Sequence, residues 1–90
     1  MAEIIAVGTV DAQSADFSLT DGQSTTLALK NTDGIDSLSA AAAIVQVKLG
    51  TLYFPIGMLT FANPCQVLAA PGAFRVIRKN AVVSFGVDRT

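Results

Sequence analysis

Histidine and tryptophan are missing from this 90-residue chain, which has one cysteine and one tyrosine and in which charged residues make up only 14%. Each shortage excludes something. Without histidine the chain lacks the usual general base, the usual nucleophile–base–acid triad and the commonest zinc ligand. A single thiol, Cys65, rules out an internal disulfide and any multi-cysteine metal site, and is expected to be a small buried hydrophobe. The seven acids, Glu3, Asp11, Asp16, Asp21, Asp33, Asp36 and Asp88, are scattered, whereas glycosidase-type chemistry needs two facing carboxylates across a cleft. A net charge of −1 offers no cluster of cations to neutralise phosphates, so no nucleic-acid partner is expected. No run of apolar residues is long enough to span a bilayer. "MAEIIAVGTV" carries an acid and no basic region, so no signal peptide is expected either. These residues predict a non-catalytic protein with no cofactor and no bound metal, made in a cytoplasm.

What is present is small and apolar. Hydrophobic residues make up 51% of the chain while aromatics make up 7%, so Ala, Val, Leu and Ile supply most of the apolar surface. Ninety residues form one domain with one core, and a chain of this size buries somewhat over ~60% of its unfolded surface. With so few charges to cover the outside, part of that surface is expected to face another protein.

Side chains alternate between the faces of a strand with period two, and that period runs through the chain. "EIIAVGTV", residues 3–10, is rich in β-branched residues and predicts an N-terminal strand or an extended arm. In "ADFSLTDGQSTTLALKN", Phe17 and Leu19, then Thr25, Leu27 and Leu29, alternate with polar or small residues around Asp21-Gly22, the pattern of a hairpin. A polar loop over residues 31–39 turns at Asp33-Gly34. "NTDGID" within it has oxygen ligands at alternate positions but lacks the closing Glu of a calcium loop, and reads as a solvated turn. The alanines before Ile44 favour helix, yet Ile44 to Leu49 alternates, so a strand is predicted over 41–49 after a short helical turn around 35–41. After Gly50-Thr51, "LYFPIGML" places Leu52, Phe54, Ile56 and Met58 on one face, and Pro55, which cannot donate to a ladder, predicts an edge strand. A loop at Asn63-Pro64 and a strand at Gln66–Ala69 follow.

The last segment, "APGAFRVIRKNAVVSFGVDRT", reads as two apolar strands joined by Arg78-Lys79-Asn80, again a hairpin. About seven short strands at turn spacings near ten residues predict an all-β domain: a compact antiparallel β-sandwich or small barrel, Ig-like or jelly-roll-like. The cations of this end pose a choice. Arg75 and Lys79 fall opposite Phe74 and Val76, which suits a solvated face. Arg78 shares the parity of Phe74 but sits at the strand end, where it is expected to emerge beyond the core. The alternative is that Arg75, Arg78, Lys79 and Arg89 form the polar rim of a subunit contact, where arginine is favoured.

Residues 56–90 also resemble small β-rich virion proteins encoded by tailed bacteriophages. The resemblance rests on a strand ending in G-x-L (Gly57-Met58-Leu59), an Asn-Pro loop, a PG-x-[FY]-R-V turn and strand (Pro71 to Val76) and a closing GVD strand (Gly86 to Asp88). "FSLTDGQSTTLAL" adds weaker support. These are turn and core positions, and they speak to fold more than to role. The resemblance implies a capsid decoration, or cement, protein bound as a homotrimer to the outer surface of a shell of major capsid protein. The stretch Glu3, Ile4, Ile5 and Val7 would then be an arm that adds to a neighbour's sheet edge, or simply the first strand of the domain. Other phage proteins of this kind are tail or head-fibre modules that recognise a host receptor or glycan. With one tyrosine and no tryptophan, the chain is short of the aromatic faces on which sugars stack.

Overall fold

The computed structural model describes residues 1–32 and 40–90. Nine strands follow one another with no helix between them among the described residues. They are β1 (Ala2–Gly8), β2 (Ala12–Gln13), β3 (Phe17–Leu19), β4 (Thr25–Lys30), β5 (Ala42–Leu49), β6 (Leu52–Thr60), β7 (Cys65–Leu68), β8 (Gly72–Arg78) and β9 (Phe85–Arg89). They form two antiparallel sheets, a small β-sandwich. The first has the order β1-β9-β4-β7; the second has the order β2-β8-β5-β6, with β3 also on β8.

The alternation expected from the sequence sets the inward faces. Leu27, Leu29, Val87, Phe85, Ile5 and Leu68 of the first sheet meet Val45, Ala43, Leu59, Val76, Phe74, Phe17 and Leu19 of the second in one buried cluster. Burying a side chain of this size stabilises by about 1.5–3 kcal/mol relative to leaving it in water. Thr25, the fully buried polar member, donates its hydroxyl to the Thr90 carbonyl at 2.9 Å. Short aliphatic residues dominate because a thin sandwich leaves little depth between its sheets.

Partner choice differs from expectation at both anticipated hairpins. β3 pairs with β8, while β4 pairs with β7 and β9, so the turn at Asp21-Gly22 carries the chain from one sheet to the other. That turn is tight: Gln23 N donates to the Thr20 carbonyl at 3.0 Å, and Gly22 takes φ of 82°. β8 and β9 likewise belong to different sheets. The chain leaves β8 through Asn80, held at φ of 54°, and residues 81–84 are a connection and not the start of the last strand. Ala81 and Val83 pack against the core there, which is why the segment alternates without pairing.

β5 and β6 do form a hairpin, with Leu49 opposite Leu52 and Gly50 at φ of 69° in the first turn position. A bulge interrupts it: Val45 faces Gly57 but Gln46 faces Pro55, leaving Ile56 as the extra residue. The slip divides the face expected to hold Leu52, Phe54, Ile56 and Met58. Met58 stands beside Ile44 on the outer surface, whereas Phe54 and Leu52 follow Val47 and Leu49 onto the core side. The calcium-loop resemblance and the Asp33-Gly34 turn at residues 31–36, and the helical turn at 35–41, fall largely outside the described residues.

Candidate docking surface

Sandwich edges expose unpaired backbone groups and have to be guarded. Among the described residues, three of the four edges are. β2 and β3 are two and three residues long, and β7 is four. β1 is longer, but two register irregularities break its pairing with β9, and Glu3 at its start is tied by ions. Lys30 on β4 places its ammonium 2.6 Å from Glu3 Oε2 and 2.7 Å from Asp88 Oδ1. The bond to Asp88, then that to Glu3, raises the Lys30 pKa above its ordinary value.

The fourth edge, β6, is the longest strand, nine residues, and it carries no charge. No Asp, Glu, Lys or Arg occurs anywhere between Lys48 and Arg75. Pro55 and the bulge beside it are the guards it has among the described residues. Leu49, Leu52, Phe54, Ile56, Met58 and Phe61 along this hairpin and the turn after it are 41–63% exposed. The reason is geometric. β8 begins at Gly72 and pairs with β5 only as far as Lys48, so the hairpin end from Leu49 to Leu52 overhangs its own sheet. Farther along, Gln66 of β7 lies over Gly57, where a Cβ would come within 2.5 Å of its amide oxygen, and this covers the middle of the strand. Beyond Gln66, Phe54 and Leu52 point to the core side and remain 44% and 63% exposed. The uncharged stretch 49–74 was the sequence signal for this surface, but composition read over the whole chain does not localise it.

The residues expected at a contact do not form one surface. Ile5 is buried in the core and Ile4 packs against it, Val7 is half-buried, and Glu3 is exposed in its ion pair. Residues 2–8 are thus an edge strand of the first sheet and not a detached arm. Gly86 allows the close fit: a Cβ there would meet the Ile5 carbonyl oxygen at 2.5 Å.

Arg78 does not emerge beyond the core. It is 5% exposed, and its guanidinium crosses from the second sheet to the first. Nε donates to the Val10 carbonyl at 2.8 Å; Nη1 donates to the Ala6 carbonyl at 2.6 Å and also to that of Phe85. It lies 5.7 Å from the centre of the Phe85 ring. Arg89 reaches the opposite way at the other end of the sandwich. It sits 4.6 Å over the Phe17 ring and donates to Thr25 Oγ1 at 3.1 Å. Both arginines join sheets.

Arg75 lies on the outer face of the second sheet, stacked 3.5 Å from the centre of the Tyr53 ring, with Nε donating to Gln46 Oε1 at 2.8 Å. Tyr53 donates its hydroxyl to Asp16 Oδ2 at 2.6 Å, and that bond raises its pKa. Lys79 is exposed and lines a shallow groove of about 370 Å³ with Asp11, Ala12, Gln13, Ile77 and Arg78. Asp11 in that groove accepts a hydrogen bond from Asn80 N at 2.8 Å. Cys65, expected inside, is exposed on the outer face of β7.

Among the described residues no group of three or more His, Cys, Asp or Glu side chains is placed to hold a metal ion. No helix of the described residues is long and apolar enough to cross a membrane. The chain matches no family model, no curated protein and no solved structure.

Proposed function

We propose that the chain is a non-catalytic structural subunit of a tailed-phage particle, a decoration protein that sits on the outside of the capsid and reinforces it. The observation that carries this reading is the uncharged β6 edge, with half-exposed apolar side chains on both of its faces. An edge that long and that apolar calls for a covering partner, because alone it invites aggregation. The resemblance of residues 56–90 to phage virion proteins supplies the kind of assembly. Mechanistically, each copy would bind across neighbouring major capsid protein subunits. Its binding energy would then raise the cost of separating them, since anything that binds the assembled state alone stabilises it.

The test is the copy number of the chain in purified particles, measured by quantitative mass spectrometry against the major capsid protein. Hundreds of copies in a simple ratio to the shell subunit are expected. A handful, matching tail or fibre symmetry, would move the reading to receptor recognition, and absence from particles would end it. The fibre alternative draws little support from Tyr53, since Arg75 already covers one face of its ring.

A further inference from the structure

We infer that the outer face of the second sheet docks on the acidic surface of another protein, with Arg75 receiving a carboxylate from it. The inference goes beyond the decoration role and stands without it. Three observations lead there.

The first is where the uncommitted cations lie. Of the six lysines and arginines, three are tied into the fold. Lys30 has its two ion pairs, Arg78 its three carbonyls, and Arg89 the Thr25 hydroxyl and the Phe17 ring. The other three, Lys48, Arg75 and Lys79, have no carboxylate partner among the described residues. All three belong to one face. Lys48 on β5 stands opposite Ala73, two positions before Arg75 on β8. Lys79 follows the end of β8 and lines its groove with Gln13 and Ile77, cross-strand partners on that same face. Two carboxylates reach the face, and both are engaged: Asp16 by the Tyr53 hydroxyl, Asp11 by Asn80 N. A chain of net charge −1 thus gathers its unpaired cations on one side, the complement of an acidic patch.

The second is how Arg75 is held. Its guanidinium lies 3.5 Å from the centre of the Tyr53 ring, Nε donates to Gln46 Oε1 at 2.8 Å, and Nη1 points to Gln13 Oε1 at 3.4 Å. Tyr53 is itself fixed. It starts on the edge strand β6, and its hydroxyl reaches Asp16 between β2 and β3, which both pair with β8 at the other side of the sheet. Nη2 makes no hydrogen bond among the described residues. The plane of the fork is therefore set before a partner arrives, and a carboxylate that meets it costs little rotamer freedom.

The third is what surrounds the cations. Ile77, Ile44 and Met58 are cross-strand partners in one row of the outer face, next to the row of Arg75 and Gln46. Met58 is 47% exposed. Apolar side chains beside an arginine and a tyrosine are the make-up of a protein interface. The face does not suit a nucleic acid, because three cations neutralise few phosphates and the Tyr53 ring that would stack on a base already carries Arg75.

The purified chain is titrated with an acetylated, amidated hexaglutamate peptide, followed by heteronuclear NMR of backbone amides and arginine Nε–H groups. Saturable shifts are expected at Arg75 Nε–H and at the amides of Ile44, Gln46 and Ile77, with a dissociation constant of about 1 mM. Arg75→Gln should weaken the peptide about tenfold, the loss of a charge-assisted bond. Arg75→Lys, which keeps the charge and loses the fork, should fall between the two. Circular dichroism and thermal melting establish that each variant is folded. No shift of this face up to about 10 mM peptide overturns the inference. So do shifts that Arg75→Gln leaves unchanged, or an equal response to an oligothymidylate of the same length, which would make the face a general polyanion site. Particle copy number tests the decoration role separately, and neither result decides the other.

Discussion

Arg78→Met replaces the guanidinium that joins the sheets with an apolar chain of similar length. Two effects oppose each other. Removing a cation that is 5% exposed and has no carboxylate partner among the described residues returns its desolvation cost, which for a buried ion is several kcal/mol. Against this, the three carbonyls of Ala6, Val10 and Phe85 lose a charged donor. Hydrogen bonds to charged groups contribute about 1.5–3 kcal/mol each, and a buried group left unsatisfied costs a further 1–3 kcal/mol. Arginine is also the more weakly hydrated cation, which lowers what its removal returns. Three bonds against one desolvation leave a net loss of about 3–5 kcal/mol. A domain of this length has roughly 5–13 kcal/mol in total, so the variant should lose much of its stability. Urea unfolding followed by far-UV circular dichroism measures this as a fall in midpoint at constant slope. Arg78→Lys, which keeps the charge and loses the fork, should fall between the two. A midpoint for Arg78→Met within about 1 kcal/mol of wild type would refute the reasoning, for the fork would then contribute nothing beyond its own desolvation.

Gly86→Ala and Gly57→Ala both bring a Cβ within 2.5 Å of an oxygen, yet their costs should differ. At Gly86 the obstacle is the β1 backbone, and a loss above about 2 kcal/mol with β1 amides exchanging faster is expected. At Gly57 it is the end of the Gln66 side chain, which can turn aside at under about 1 kcal/mol. Deleting residues 1–10 removes Ile5 from the core and two of the three Arg78 acceptors, and should leave a chain without a cooperative thermal transition. Lys30 and Tyr53 both hold their protons more tightly in the folded chain than at the ordinary values of 10.5 and 10.0. Their contribution is therefore complete below those values and lost as pH rises through the raised folded ones. Melting temperature should fall above about pH 10, less steeply in Lys30→Met. A flat profile to pH 11.5 would contradict both assignments.

The alternation of Phe17 and Leu19, of Thr25, Leu27 and Leu29, and of Phe74, Val76 and Arg78 determined from sequence alone which side chains face inward. A strand buries every second residue whichever sheet it joins. Turn chemistry at Gly22, Gly50 and Asn80 was equally legible, because positive φ favours those residue types. Pro55 announced an edge for the same local reason. For these features the cause lies within a few residues of the effect.

Tertiary structure alone decided which strands pair. The turns after Leu19 and Arg78 carry the chain across the sandwich instead of back along the same sheet, and period-two patterning is identical in both cases. It also decided the meaning of Arg78. By parity the residue was already on the inward face. Its carbonyl partners at Ala6 and Val10 lie about seventy residues away in the chain, so only the folded molecule shows it as a bridge and not an emerging rim. The docking surface has the same origin. Leu52 and Phe54 occupy positions with core parity, yet they stay exposed: the hairpin end at Leu52 overhangs the start of β8, and Gln66 lies over Gly57 and not over them. A sequence states which face a side chain takes. Whether anything lies above that face depends on where other strands begin and end.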